Sequence, residues 1–419
     1  MKIYNKHLNV YQAAKNRIKE QILFFPDFYV SFSGGKDSGV LINLVLEVAT
    51  ELNRLPVKCV FSDLEVIFQE TARYTESIME DPRIKPFWLC IEELDDNASS
   101  VFQRYFKIWD ESKKDFWVRP MPNKDYVINK HNLPEEFAKY LELNRLEYWS
   151  IECFGEYLCD ISGVETICNF IGMRTEESYG RHMAIAVEKH RTKRNEYTYL
   201  TKNNANRTWT CLPIFDWLTK DVWKYYSDNN LDYNRVYDSM FKAGLPISEM
   251  RTCSAFGEEQ KKSLWLWKII EPSTFDRMLQ RVEGVNFGAN YNHTNINRGK
   301  IVKPKNITWK EYLKLLIAEL PNDVAENFEE KFSIVFKYHR KMYCDKMGLD
   351  FEFISCDSKK EAKEKAFKNN MPIKYFFSYE TLCGAVIRRD FVFKKYGFGY
   401  SNKMSKRIEE IQEKWNQEL

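Results

Sequence analysis

The chain has 419 residues, of which 44% are hydrophobic, 15% aromatic and 29% charged, and its net charge is +3. That length leaves room for two domains, and the lack of any uninterrupted apolar run of about 18 residues argues against a membrane span. Ten cysteines without a C-x-x-C pair, and six histidines without ligand spacing, speak against zinc sites and disulfide frameworks and suit reduced thiols.

The first residues lack the apolar core of a signal peptide, so a cytoplasmic location is expected. An amphipathic helix is predicted over 8–24. It is followed by a strand at 28–33, a helix at 37–53, a strand at 57–62, a helix at 65–80 and a strand at 86–91. Strands alternating with helices predict an α/β fold, a parallel sheet with helices on both faces. After Glu92 the rhythm breaks. Residues 93–131 are polar and aromatic, and Pro120 and Pro122 interrupt regular structure there. A helix over 134–158 and a buried strand over 166–172 restore the pattern. From 255 onward the chain reads as a mainly helical domain, with helices at 258–270, 273–283, 308–319, 322–345, 358–369 and 403–417. Within it, "LCGAVIRRDFVF" suits either a strand or a buried helix. The boundary is placed at 254/255, and the tail from Lys300 is mildly basic, which leaves a nucleic-acid partner open.

Ligands of such sheets bind beyond the carboxyl ends of the strands, and three of those ends are polar. The first strand runs into Ser33, Gly34, Gly35, Lys36, Asp37 and Ser38, just before a helix. Two glycines there let the backbone approach a bulky anion, the helix N–H groups point at it, and Lys36 adds positive charge. An ordinary strand–turn–helix connection would also use a glycine pair. Asp63 ends the next strand. It suits a nucleotide hydroxyl, a magnesium ion or a simple helix cap. Gly172 to Ser178 follows the fourth strand, where Arg174 and Arg181 offer guanidinium groups for oxyanions or for surface ion pairs. Arg119, in the proline-stiffened "WVRPMP", is a further candidate to face a substrate, with stacking on Phe116 or Trp117 as the alternative.

The string Ser33–Ser38 has the form S-G-G-x-D-S. It is neither the Walker loop nor a dinucleotide G-x-G-x-x-G, and it resembles the PP-loop of the ATP pyrophosphatases, which split ATP between its α- and β-phosphates. Two further stretches are similar to the phosphoadenosine phosphosulfate (PAPS) reductases of that group. They are the G-x-R-x-x-E-S pattern of Gly172, Arg174, Glu177 and Ser178, and "LPIFDWLTKDVWKYY" with Pro213, Asp216, Trp217, Asp221, Val222, Trp223 and Tyr225. Trp217, Val222 and Trp223 are expected in the core. Leu218 stands where the family has a small polar cap, so Thr219 is expected to cap instead. The reductases' C-terminal E-C-G-x-H segment has no counterpart, and Cys253, beside Arg251, is the best substitute thiol. From residue 250 onward the chain resembles the bacterial YbdN/IbrA-type proteins, in which a PAPS-reductase-like domain carries an extra C-terminal domain.

The resemblance implies an adenine nucleotide alpha-hydrolase-like fold and an ATP pyrophosphatase that transfers AMP to an acceptor, nucleic acid among the candidates. ATP would be held by Ser33, Gly34, Gly35, Lys36, Asp37, Ser38, Asp63, Gly172 and Arg174. Lys36, Asp37, Asp63 and Arg174 would act in catalysis, and Asp37 and Asp63 would hold magnesium. A ParB-like protein is the implied partner. A nucleotide-sensing regulator with little turnover, and a sulfonucleotide reductase or transferase, are the alternatives.

Overall fold

The structure, a computed structural model, describes residues 8–100, 103, 105–143, 150–177, 181–182, 200–202, 207–257, 260–292, 301–388 and 390. The chain divides into two compact units. The first comprises residues 1–96, 105–260 and 266–282, and the second 97–104, 261–265 and 283–419. By compactness, residues 255–260 and 266–282 group with the first unit, and 97–104 with the second.

The first unit opens with α1 (Val10–Phe24), whose first turn is closed by a reciprocal capping box between Asn9 and Gln12. There follow β1 (Asp27–Phe32), α2 (Lys36–Glu51), β2 (Val57–Ser62), α3 (Gln69–Met79) and β3 (Ile84–Cys90). The segment with the broken rhythm contains a hairpin, β4 (Glu93–Asp96) with β5 (Tyr105–Ile108), then a 3-10 turn over Glu111–Phe116 and a short strand β6 (Val127–Asn129). Next come α4 (Glu135–Leu143) and α5 (Ser150–Ser162), where a single helix was predicted over 134–158; residues 144–149 lie outside the described ones. β7 (Ile167–Ile171), β8 (Leu200–Lys202), β9 (Thr208–Cys211), α6 (Thr219–Asp228), α7 (Val236–Lys242) and α8 (Pro272–Arg281) complete it.

Seven strands form one sheet in the order β6-β3-β2-β1-β7-β9-β8. Every pair is parallel except β8 with β9. The parallel sheet bearing helices that the strand–helix alternation predicts is therefore the fold of this unit. Chain order reverses at β1, which has β2 on one side and β7 on the other, and a crevice opens beyond the carboxyl ends at such a switch point. α2 leaves β1 at that place. Its Val40, Leu41, Leu44, Val45 and Val48 are all fully buried, so the helix is anchored along its length. Burial of five such side chains contributes on the order of 10 kcal/mol before entropy is counted.

The second unit is mainly helical. Trp309, Leu313, Phe328, Phe332, Val335, Leu382 and Val386 form one of its cores, and Tyr343, Ile354, Cys356, Ala362 and Phe376 another. Residues 379–387, from "YETLCGAVI", form a buried helix, which makes the first half of "LCGAVIRRDFVF" helical; residues 389 and 391–393 lie outside the described ones. Ser355–Cys356 and Phe377–Ser378 make a two-residue parallel pair inside the helical tail. The helix predicted over 403–417 lies outside the described residues. Eight of the ten cysteines are buried, Cys344 is half-buried and Cys253 is exposed. Among the described residues no helix is long and apolar enough to cross a membrane.

Candidate functional site

Gly34 and Gly35 make the turn from β1 into α2. Gly34 has φ +70, a left-handed conformation that disfavours side chains, and a Cβ there would lie 2.6 Å from Thr71 Cγ2. A Cβ on Gly35 would meet Thr252 Oγ1 at 2.9 Å and Tyr237 OH at 3.3 Å. Gly35 is the N-cap of α2 and brings no capping side chain, so the positive end of the dipole of this 16-residue helix lies beyond β1, with the first N–H, that of Lys36, taken by Tyr237. Ser38 braces the turn: its hydroxyl donates to Gly35 O (3.0 Å) and accepts from the Ser33 N–H (3.2 Å).

A collar of polar side chains holds the loop from behind. Tyr226 OH donates to Lys36 O (2.8 Å), the Lys36 N–H donates to Tyr237 OH (3.0 Å), and Asn234 Nδ2 donates to Gly34 O (2.8 Å). Burial raises the pKa of both tyrosines, so their hydroxyls stay neutral and keep these bonds. None of Tyr226, Tyr237 and Asn234 was singled out from the sequence as part of the site. Tyr237 and Asn234 follow α6 at no spacing that marks them, and only the fold brings them to residue 35.

Lys36 is buried, with its ammonium on Met250 O (3.2 Å) and Asp37 Oδ2 (3.2 Å). Arg174 is 2% exposed and pinned on several sides. Its Nε donates to Asp37 Oδ1 (2.6 Å), while Nη1 donates to Glu176 Oε2 (2.9 Å) and Trp217 O (3.3 Å). Glu176 accepts from the Thr219 N–H (2.6 Å) and hydroxyl (2.9 Å). It is therefore Glu176, and not Thr219, that satisfies the start of α6. Burial pushes the Glu176 carboxyl up, but the bonds from Thr219 and Arg174 outweigh it and hold it low. Gly172 supplies the space for this stitching. A Cβ there would sit 3.0 Å from the backbone of Asp37 and Ser38. Trp217 and Val222 are buried, as core residues should be, whereas Trp223 is only half-buried. Arg181 pairs with Glu177, and Ser178 lies outside the described residues.

Asp63 is fully buried beyond β2, one strand from the loop. Its Oδ2 accepts from Trp88 Nε1 (2.7 Å) and from Arg119, and its Oδ1 accepts from the Glu65 N–H (3.0 Å). Asp37 and Asp63 are thus each turned to an arginine. Among the described residues no group of three His, Cys, Asp or Glu side chains could hold a metal. A magnesium ion at either aspartate would share its carboxylate with that guanidinium. Arg119 also lies over the Trp109 ring at 5.1 Å, so its stacking partner is neither Phe116 nor Trp117.

Glu65 was missed by sequence reading and is a hub. It is fully buried with φ +63, and its carboxylate takes Arg281 Nε (2.9 Å) and Nη2 (3.0 Å), the Trp109 N–H (2.8 Å) and the Val118 N–H (3.2 Å). Trp109 is itself held at φ +52. Two non-glycine residues in the left-handed region persist where surrounding bonds over-determine them. Cys253 donates its thiol proton to Gln260 Oε1 at 3.4 Å, and Arg251 Nη2 donates to Glu177 O at 2.5 Å.

Comparison with known proteins divides the chain at 243/244. Residues 27–243 match the phosphoadenosine phosphosulfate reductase domain, and residues 244–407 match the domain of unknown function DUF3440. Escherichia coli YbdN is 32% identical over 340 residues, which cover 80% of this chain and 81% of YbdN. MJ0066 of Methanocaldococcus jannaschii is 26% identical over 214 residues, 51% of this chain but 34% of that protein. Among solved structures, FMN adenylyltransferase from Candida glabrata has a TM-score of 0.32 at 16% identity, covering 54% of this chain and 58% of that one. PAPS reductase from Candida auris has a TM-score of 0.31 at 14% identity, covering 57% and 93%. The reductase-domain match takes in the whole switch-point sheet and its loop, and YbdN extends the likeness through the tail, so the chain belongs to the phosphoadenosine phosphosulfate reductase domain family, in the form that carries a DUF3440 domain behind it.

Proposed function

We propose that this protein binds ATP at residues 33–38 and splits it between the α- and β-phosphates, passing AMP to an acceptor. The observation that carries the reading is the start of α2 at the switch point, where the N-cap is a glycine with no capping side chain and a Cβ on either loop glycine would crowd its neighbours. In the transfer an acceptor oxygen attacks the α-phosphorus. The bond to the bridging oxygen breaks, and its electron pair leaves with pyrophosphate. The chain's contribution is electrostatic: helix N–H groups and the Lys36 ammonium stabilise the charge growing on the leaving group. Arg174 acts as a positioning residue, holding Asp37 and the first turn of α2. Asp63 does the same for Arg119. The 254/255 division, a ParB-like partner and a nucleic-acid acceptor remain parts of this proposal.

Incubation with ATP labelled in the α- and γ-phosphates tests it. AMP and pyrophosphate are the expected products, and ADP with phosphate as the main products would overturn the reading. Gly35→Val places a branched side chain against Thr252 and Tyr237 and is expected to abolish ATP binding in a folded chain. Undiminished affinity would remove ATP from the loop. Tight ATP binding without turnover, with any acceptor or partner supplied, would favour the sensing regulator.

A further inference from the structure

A cavity of about 660 Å³ opens at the far edge of the sheet, beyond the carboxyl ends of β3 and β6. Cys90 and Asn129, the last residues of those strands, form part of its lining. This is within the size range of small-molecule sites. Its apolar wall consists of Trp109 and Trp117, whose rings meet edge-to-face at 5.1 Å and 89°, together with Met121 and two prolines. Flat rings pack well against such a corner.

The lining carries more cations than carboxylates, although Arg119 is already paired with Asp63, which is not part of the lining. Lys114, Arg119, Lys130 and Arg277 face it against two carboxylates, Glu92 and Glu111. Those carboxylates already pair with lysines, Glu92 with Lys130 (3.7 Å) and Glu111 with Lys114 (3.4 Å). Arg277 Nη1 donates to the Trp117 carbonyl (3.1 Å), and no carboxylate is recorded against it among the described residues. Arg119 has a side chain 10% exposed, and its Nε is buried with no hydrogen-bond partner. A buried guanidinium N–H without an acceptor costs on the order of 1–3 kcal/mol.

The Glu65 hub keeps this corner in shape. It fixes the backbone of Trp109 and Val118 on either side of the ring pair and anchors α8 through Arg281, four residues beyond Arg277. The site therefore has buried ring walls, with Arg119 held by Asp63 and Arg277 bonded to the Trp117 carbonyl, beside the exposed Lys114 and Lys130. We infer that this cavity binds a small molecule consisting of a flat aromatic ring that carries an anionic oxygen group, a carboxylate or a phosphate. Calling that molecule the acceptor rests on the adenylyl-transfer reading, since either group offers an oxygen nucleophile; the binding itself does not.

Calorimetric titration of the full chain without ATP tests the inference with two kinds of probe, benzoate for the carboxylates and uridine monophosphate for the phosphates. At least one is expected to bind, and its neutral counterpart, benzamide or uridine, to bind about tenfold more weakly or worse, as the loss of one charge-assisted bond requires. Arg277→Gln and Lys130→Gln are each expected to weaken the anion roughly tenfold while leaving ATP affinity unchanged. Absence of binding by both probes, equal binding of the neutral rings, or indifference to both substitutions would overturn it. Failure of ATP cleavage with ring–anion binding intact would count against the transfer reaction alone.

Discussion

At residue scale, the buried ion pair of Glu65 and Arg281 sets the largest single sensitivity. Both side chains are essentially inaccessible to water, and removing the charge of one leaves the other buried and unpaired. Glu65→Gln is expected to destabilise the chain by about 3 kcal/mol or more, read as a fall in the denaturant midpoint; a change below about 1 kcal/mol would show that water or another acceptor replaces the carboxylate. Asp95 carries the opposite kind of sensitivity. Burial pushes its carboxyl up to about 6, against bonds from the Ser254 hydroxyl (2.6 Å) and the Asp96 N–H (2.9 Å) that favour its charged form. A raised folded pKa means that the native state holds the proton longer than the unfolded chain. Stability should then fall as pH rises from about 4 through 6. Asp95→Asn keeps an acceptor oxygen for the Asp96 N–H and can donate its amide to the Ser254 hydroxyl, and it is expected to stabilise the protein by about 1–3 kcal/mol at pH 7 and by little at pH 4. Equal effects at the two pH values would place the penalty elsewhere. Glu65 was invisible in the sequence because its neighbours come from residues 109, 118 and 281, and nothing local marks an acidic residue after a strand as buried.

At the scale of elements, the start of α2 depends on how closely β7 and its loop approach it. The backbone of Asp37 and Ser38 faces Gly172 at 3.0 Å from where a Cβ would stand. That backbone cannot retreat easily, because the neighbouring Lys36 is tied at its carbonyl to Tyr226 and at its N–H to Tyr237. Gly172→Ala is expected to cost about 1–3 kcal/mol by overpacking and to weaken ATP binding as well. Unchanged stability and affinity would mean that the loop after β7 yields instead. The elements flanking this junction were legible because strand and helix periods switch sharply at Ser33 and because β1, β2, β3 and β7 are apolar runs of ordinary length. β6 was not. Three residues, Val127–Asn129, are too few to show a period, and they pair only because the edge of β3 is open to them.

For the whole molecule, the alternation of strands and helices disclosed the parallel sheet, while the division of the chain was less legible. Residues 266–282 read as parts of two helices of the tail, 258–270 and 273–283, and their grouping with the first unit shows in the long-range contacts of Trp267, Glu271, Arg277 and Arg281 with residues 65, 68, 69, 107 and 117. The distribution of the thiols makes the two units separately observable. Cys59, Cys90, Cys153, Cys159, Cys168 and Cys211 are buried in the first, and Cys356 and Cys383 in the second. A buried thiol reacts with an alkylating reagent only while the structure around it is open. Alkylation followed by peptide mass spectrometry should modify Cys253 at once and Cys344 more slowly. The remaining thiols should then follow as two groups, each advancing at the opening rate of its own unit. A single common rate for all eight would mean that the units open together, and immediate labelling of Cys168 or Cys211 would contradict a closed sheet. The native cysteines thus serve as two clocks in one chain, one keeping time for the nucleotide sheet and the other for the helical tail.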